Sequence, residues 1–228
     1  MFVTQAAQLV YDALLTLAYP QVCVICGHSV EQRRFGVACE TCWSETEIFT
    51  DDKAISWDRA CESLACARSV GMYKGALRES VLLLKRQPFL PQHVEELLRE
   101  AATREPLNTS TRVVPVPLHP KRLKMRGFNQ AHILARAVSK ALKLPVDEVS
   151  LRRVSSTDKY RAGLDRKGRR DTVAGAFEVA HPRLVAGENI LLLDDVFTTG
   201  ATVSACAEAL LAARAKNVFV LTVARALL

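Results

Sequence analysis

Residues 190–203 read ILLLDDVFTTGATV. Large apolar residues run into two adjacent carboxylates, and a short loop of Thr, Gly and Ala follows. A continuous apolar run bounded in this way marks a strand buried on both faces of a parallel sheet. In such sheets ligands bind at the carboxyl ends of the strands. With the strand taken as 190–193, Asp194 and Asp195 fall at that end. Carboxylates there accept hydrogen bonds from vicinal hydroxyls or hold a hydrated Mg2+. Thr198, Thr199, Gly200, Ala201 and Thr202 then open a helix. Their N–H groups and hydroxyls converge as a nest for a phosphate. A ribose 5-phosphate fits both halves of this stretch. Both acids are expected outside the core, so that Asn at either position leaves the fold intact.

Around this stretch strands and helices alternate. Strands are expected at 69–74, 112–118, 188–196 and 217–227, and helices at 75–86, 92–104, 130–142 and 200–215. That order gives an α/β unit with an open parallel sheet. The segment HPKRLKMRGFN (119–129) reads as a loop at the carboxyl end of the second strand. It carries His119, Lys121, Arg122, Lys124 and Arg126.

The chain has 228 residues, 49% apolar and 24% charged, which suits one ordinary domain plus a small module and excludes a disordered chain. The net charge of +7 is unevenly spread: residues 112–170 hold 16 Lys/Arg against 4 Asp/Glu, whereas both flanks are slightly acidic. Such a block points to an anionic partner. No apolar run is long enough for a membrane span. Near the N-terminus Val3, Ala6, Val10, Ala13, Leu14 and Leu17 fall on one helical face, with Pro20 as the stop. Asp12 and the lack of an early basic cluster argue against a secretion signal. The expected compartment is therefore the cytoplasm.

There, paired cysteines hold metal more often than disulfides. Cys23 and Cys26 form one Cys-x2-Cys pair, and Cys39 and Cys42 form a second after twelve intervening residues. Each pair turns both thiolates toward one point, and two pairs make a tetrahedral Zn2+ site. Cys61 and Cys66 read either as a remnant of a second knuckle or as buried small residues, and Cys206 as core. The boundary falls near residue 67, with a zinc module at 1–67 and the α/β unit at 68–228. Loss of Cys39 is expected to unfold the module and leave the rest folded.

The ILLLDDVFTTGATV stretch resembles the phosphoribosyl pyrophosphate (PRPP) motif of type I phosphoribosyltransferases. In that family the acidic pair contacts the ribose hydroxyls and the loop holds the 5-phosphate. CVIC…CETCW, VPVPLHPKRLKMRGFNQA, GLDRKGRR…VAGAF and the PRPP motif occur here in that order. Over nearly its full length the chain thus resembles the ComF family (ComFC/GntX-like proteins), linked to natural competence and DNA uptake. The resemblance implies a cysteine zinc module ahead of a phosphoribosyltransferase fold, with PRPP and Mg2+ at Asp194 and Asp195. Pyrophosphate at the 119–129 loop needs fixed positive charge beside it, and Arg126 and the neutral amide of Asn129 are its candidates. Lys121, Arg122 and Lys124 are candidates for single-stranded DNA, the alternative being solvated cations. Residues 155–172 correspond to the mobile loop, where Thr157, Lys159, Arg161, Arg166 and Arg169 are polar or cationic. A Gln common in the family is Arg161 here, and an Asn is Thr172. These departures bear on loop closure and catalysis more than on PRPP binding.

Three readings follow. One is a PRPP-binding protein that contacts incoming single-stranded DNA and the uptake machinery. Another is an active phosphoribosyltransferase of nucleotide metabolism, for which no acceptor base or catalytic residue is legible. The last is a zinc-stabilised interaction module with a vestigial sugar-phosphate site. The intact acids and Thr loop count against it.

Overall fold

The computed structural model describes residues 19–50, 63–154 and 175–226. Four parallel strands lie side by side in the order β1 (Cys66–Met72), β6 (Asn217–Arg225), β5 (Asn189–Phe197) and β2 (Arg112–Pro115). The apolar runs place Val113, Leu191 and Phe219 in one register row. Side chains alternate across the sheet. Leu191 and Leu193 join a core with Leu77, Leu84, Leu98 and Leu134. Those four come from α2 (Gly75–Arg86), α3 (Gln92–Ala102) and α5 (Gln130–Leu142). On the other face Ile190 and Leu192 pack with Val203, Cys206 and Leu210 of α6 (Ala201–Ala212) and with Phe177. Phe177 belongs to a short antiparallel pair, β3 (Leu151–Arg153) with β4 (Phe177–Val179).

The α/β reading holds, and the elements differ from the sequence expectation in four places. β1 begins three residues early. β2 stops at Pro115. One further ladder bond, from the Val116 N–H to the Leu193 carbonyl at 2.9 Å, precedes Pro117, which has no N–H to give. The 119–129 segment is not a loop: it holds α4 (Pro120–Arg126). His119 Nδ1 accepts from the Lys121 N–H at 3.2 Å, Pro120 takes the first helical position, and Gly127 ends the helix in a left-handed conformation. Finally, β5 ends at Phe197, one residue past the expected 188–196 span, and the acids lie within it rather than at the end of a strand closed at residue 193.

The cysteine unit is not separate from the sheet. Phe35 and Trp43 share one buried cluster with Leu77 and Val94. Trp43 follows Cys42 in α1 (Glu40–Ser44). Both rings meet His93 of α3 edge-on, with centroids 5.2 and 4.6 Å away. Thr46 Oγ1 accepts the Ala76 N–H at 3.0 Å and so caps α2 from outside the helix. Residues 47–49 add to the β1 edge through Phe49 N–H to Val70 O, 2.8 Å, and Met72 N–H to Glu47 O, 3.0 Å. The approach is so close that a Cβ on Gly71 would lie 2.3 Å from the Glu47 carbonyl oxygen. A continuous core therefore crosses the boundary drawn near residue 67, which is the ground for expecting loss of Cys39 to reach into the α/β unit as well.

Cys66 and Cys206 are buried core residues. Cys61 and the N-terminal helical face through Leu17 lie outside the described residues. Among the described residues no helix is long and apolar enough to cross a membrane.

Candidate functional site

Asp194 and Asp195 sit inside β5, in its C-terminal half. Alternation sends them to opposite faces. Asp195 lies on the α2 face, where Lys85 Nζ stands 3.1 Å from its Oδ2. Asp194 lies on the α6 face, close enough to Cys206 for the two to interact electrostatically. Asp194 Oδ1 accepts the Asp195 N–H at 2.8 Å, which fixes one carboxylate against the other's backbone. Asp195 is only 6% exposed, so the expectation that both acids lie outside the core is corrected for this one. The Lys85 ammonium is off the hydrogen-bonding direction, and Asp195 Oδ2 is buried with no hydrogen-bond partner among the described residues.

Burial and the neighbouring Asp195 charge push the Asp194 carboxyl up to about 7, while the Asp195 N–H, Lys85 and Arg153 pull the other way. An unfolded Asp ionises near about 4. Between those values the native state keeps a proton that the unfolded chain has lost. Stability therefore falls as pH rises through this window, and the penalty is complete above about 7. Asn at 194 keeps the oxygen that accepts the Asp195 N–H and removes the charge. Asp194→Asn is expected to be more stable than the parent at about pH 8, with the gap closing toward about pH 4. Urea unfolding at the two pH values checks this; a variant less stable at the higher pH contradicts it.

The loop that follows lies where the sequence places it. Thr198 is exposed, Thr199 and Thr202 are half-buried, and Gly200 and Ala201 are buried. Gly200, with φ +76°, turns the chain from β5 into α6. Thr199 Oγ1 accepts the Ala201 N–H at 3.4 Å. The first turn of α6 leaves further N–H groups without intrahelical acceptors, and the helix dipole favours an anion there.

β2 and β5 are neighbours in the sheet, so α4 emerges beside this loop at the same carboxyl edge. Lys121, Lys124 and Met125 are exposed on it, and Arg122 is half-buried. Arg126 donates to the Gln130 side chain. Asn129 is 5% exposed and already engaged at both ends: its oxygen accepts the Ala131 N–H at 3.1 Å and its nitrogen donates to Val116 O at 3.0 Å. It caps α5 and anchors α4 to β2, which leaves Arg126 as the freer of the two pyrophosphate candidates. Thr157, Lys159, Arg161, Arg166 and Arg169 lie outside the described residues. Sequence reasoning missed Lys85 and Arg153. Lys85 reads as one more basic residue in the last turn of an amphipathic helix, and only the packing of α2 brings it to Asp195.

The sulfurs of Cys23, Cys26, Cys39 and Cys42 all lie within 4.8 Å of one another, and among the described residues they form the one gathered set of potential metal ligands. Cys23 Sγ–Cys42 Sγ is 3.7 Å and Cys26 Sγ–Cys39 Sγ is 3.5 Å. Four thiolates around Zn2+ at about 2.3 Å stand about 3.8 Å apart, so these spacings suit a metal such as zinc. Burial works against ionising Cys23, but the backbone N–H groups of Cys26, Cys39 and Ile25 outweigh it and bring the thiol down to about 6. Burial and the neighbouring thiols push Cys42 up. Four such sulfurs cannot all ionise together without a cation.

The acid pair fits a resident divalent ion less well. Its carboxylates face opposite sides of a strand, and one already faces an ammonium group.

No protein-family model matches the chain. It is 34% identical over 108 residues to Competence protein F of Haemophilus influenzae, covering 47% of each chain. It is 34% identical to DNA utilization protein YhgH of Escherichia coli O157:H7, over 53% of this chain and 52% of that one. With Competence protein ComFC of Bacillus subtilis the identity is 35%, over 43% of this chain and 38% of the other. The matched stretch thus spans about half the length of these relatives or less. Among solved structures, the glutamine PRPP amidotransferase of Bacillus subtilis is similar with a TM-score of 0.41 and 16% identity, over 62% of this chain and 30% of that one. Over about half of its length, then, the chain is similar in sequence to these competence and DNA utilization proteins.

Proposed function

We propose that this protein binds PRPP or a related sugar phosphate at the carboxyl edge of its sheet. The observation that carries this reading is the placement of two carboxylates on β5 directly ahead of the Thr198–Thr199–Gly200 turn into α6. Asp194 and Asp195 accept hydrogen bonds from the ribose hydroxyls. Thr198, Thr199, Gly200, Ala201 and Thr202 take the 5-phosphate through N–H and hydroxyl groups. Arg126, at the end of α4, faces the diphosphate. Zn2+ on Cys23, Cys26, Cys39 and Cys42 stabilises the front unit. Mg2+ accompanies the diphosphate of the ligand.

Thermal unfolding with and without PRPP and Mg2+ tests this reading. A rise in Tm that ribose 5-phosphate partly reproduces is expected, and no shift with either compound contradicts it. Release of pyrophosphate across a panel of bases then separates a transferase from a binder. Binding without release is expected, since none of the site residues among the described ones selects an acceptor.

The exposed cations of α4 favour single-stranded DNA as a second ligand at the same edge. This fits the names of the relatives, which refer to competence and DNA utilization. Reversing charge at Lys121, Arg122 and Lys124 together is expected to weaken binding of a labelled oligonucleotide far more than binding of PRPP. Fluorescence anisotropy at two salt concentrations measures it, with a log–log slope of roughly −0.7 per phosphate contacted. Binding that ignores the triple reversal excludes α4 as the contact.

A further inference from the structure

Each acid of the pair is matched by a cation. Lys85 of α2 stands 3.1 Å from Asp195 Oδ2 on one side of the sheet. The charge of Arg153, from β3, acts on Asp194 on the other. The Lys85 side chain is 31% exposed and that of Asp195 only 9%, so the ammonium lies on the solvent side of a mostly buried carboxylate. Once Asp194 is ionised, above about pH 7, the four charges sum to zero.

We infer that Lys85 is the built-in counter-cation of the acid pair, so that the pair takes up no divalent metal before its ligand and selects neutral hydroxyls over free cations. A divalent ion at Asp195 has to displace the ammonium, because the two like charges compete for one carboxylate and Mg2+ demands near-ideal oxygen geometry. A sugar hydroxyl meets no such barrier. It is a neutral donor, and Asp195 Oδ2 retains unfilled acceptor capacity beside the ammonium. Lys85 can stay in place while hydroxyls add. Divalent metal then enters only on the diphosphate of the ligand. This inference rests on the acid pair being the sugar-hydroxyl site.

The experiment uses the zinc-loaded full chain with Mn2+ as the probe and no sugar phosphate present. Free Mn2+ is counted by electron paramagnetic resonance during titration of the parent, Lys85→Arg, Lys85→Met and Lys85→Met/Asp195→Asn. The parent and Lys85→Arg are expected to bind no Mn2+ at the pair. Lys85→Met is expected to gain one site, at least about tenfold tighter than any in the parent, since removing one nearby charge of like sign acts at short range. The added Asp195→Asn change should remove that site. A parent protein that binds Mn2+ as tightly as Lys85→Met overturns the inference. Should Lys85→Met fail to fold, the parent decides alone. Broadening of the Asp194 and Asp195 amide NMR signals by Mn2+ in ligand-free protein overturns the inference, and its absence supports it. Because no PRPP is present, a negative outcome here leaves sugar-phosphate binding to be judged by its own titration.

Discussion

Removing the metal from the cysteine cluster should unfold far more than the cysteine unit. Cys23, Cys39 and Cys42 are all nearly inaccessible and share one buried cluster with Leu77, Val94 and Leu98 of the helices that cover the sheet. Trp43 and Phe35 clasp His93, Thr46 caps α2, and residues 47–49 complete the β1 edge. Zinc bound by four thiolates contributes on the order of 10 kcal/mol in small modules. A whole domain is stable by about 5–15 kcal/mol. A loss of that size, coupled through a shared core, leaves no independent α/β remainder. The expected result is a single cooperative transition in zinc-loaded protein that vanishes on chelation and returns when zinc is restored. Cys39→Ala should behave as the chelated form whether or not zinc is added. Circular dichroism during urea unfolding, with elemental analysis of the same samples, checks this. A metal-free protein that keeps the α/β transition at its original midpoint contradicts it.

The parts of this molecule that sequence displays are those fixed by local pattern. The run 190–193, bounded by acids and a Thr-Gly turn, reads as a strand buried on both faces, and each Cys-x2-Cys spacing brings its two sulfurs together by short-range geometry. Helices α2 and α5 were legible to the residue, because their apolar periodicity agrees with their ends. The misreading of α4 was avoidable: His-Pro ahead of a basic run and Gly127 after it is a start and a stop. Asn129 misled because Asn suits both an anion contact and a helix cap, and only its bond to Val116 O separates the two. Other features have no sequence signature. The β3–β4 pair comprises two three-residue strands, too short to show alternation. Lys85 meets Asp195 across a separation of 110 positions, set by how α2 crosses β5. The shared core escaped for the same reason, since the seam between the cysteine unit and the sheet is tertiary packing.

The second large effect concerns the acids. Replacing both by Asn conserves their volume and, at about pH 8 where Asp194 is ionised too, removes two charged acceptors. A hydrogen bond to a charged group contributes about 1.5–3 kcal/mol, so two sugar hydroxyls would lose about 3–6 kcal/mol. That is a loss of affinity on the order of a hundredfold to ten-thousandfold. The change also leaves Lys85 beside a neutral amide. Breaking a buried pair costs about 3–5 kcal/mol, and the partial exposure of Lys85 places this case at the low end. The variant is therefore expected to fold with reduced stability, unlike the neutral outcome that the sequence suggests. Near-UV circular dichroism under the titration conditions establishes that it is folded.

The measurement that bears most directly on the account is calorimetric titration of PRPP with Mg2+ into the parent protein and into Asp194→Asn/Asp195→Asn, both zinc-loaded and both folded. The account predicts one site in the parent and an affinity at least about a hundredfold weaker in the variant. Equal PRPP affinity in the two proteins, or no binding to the parent, would contradict it.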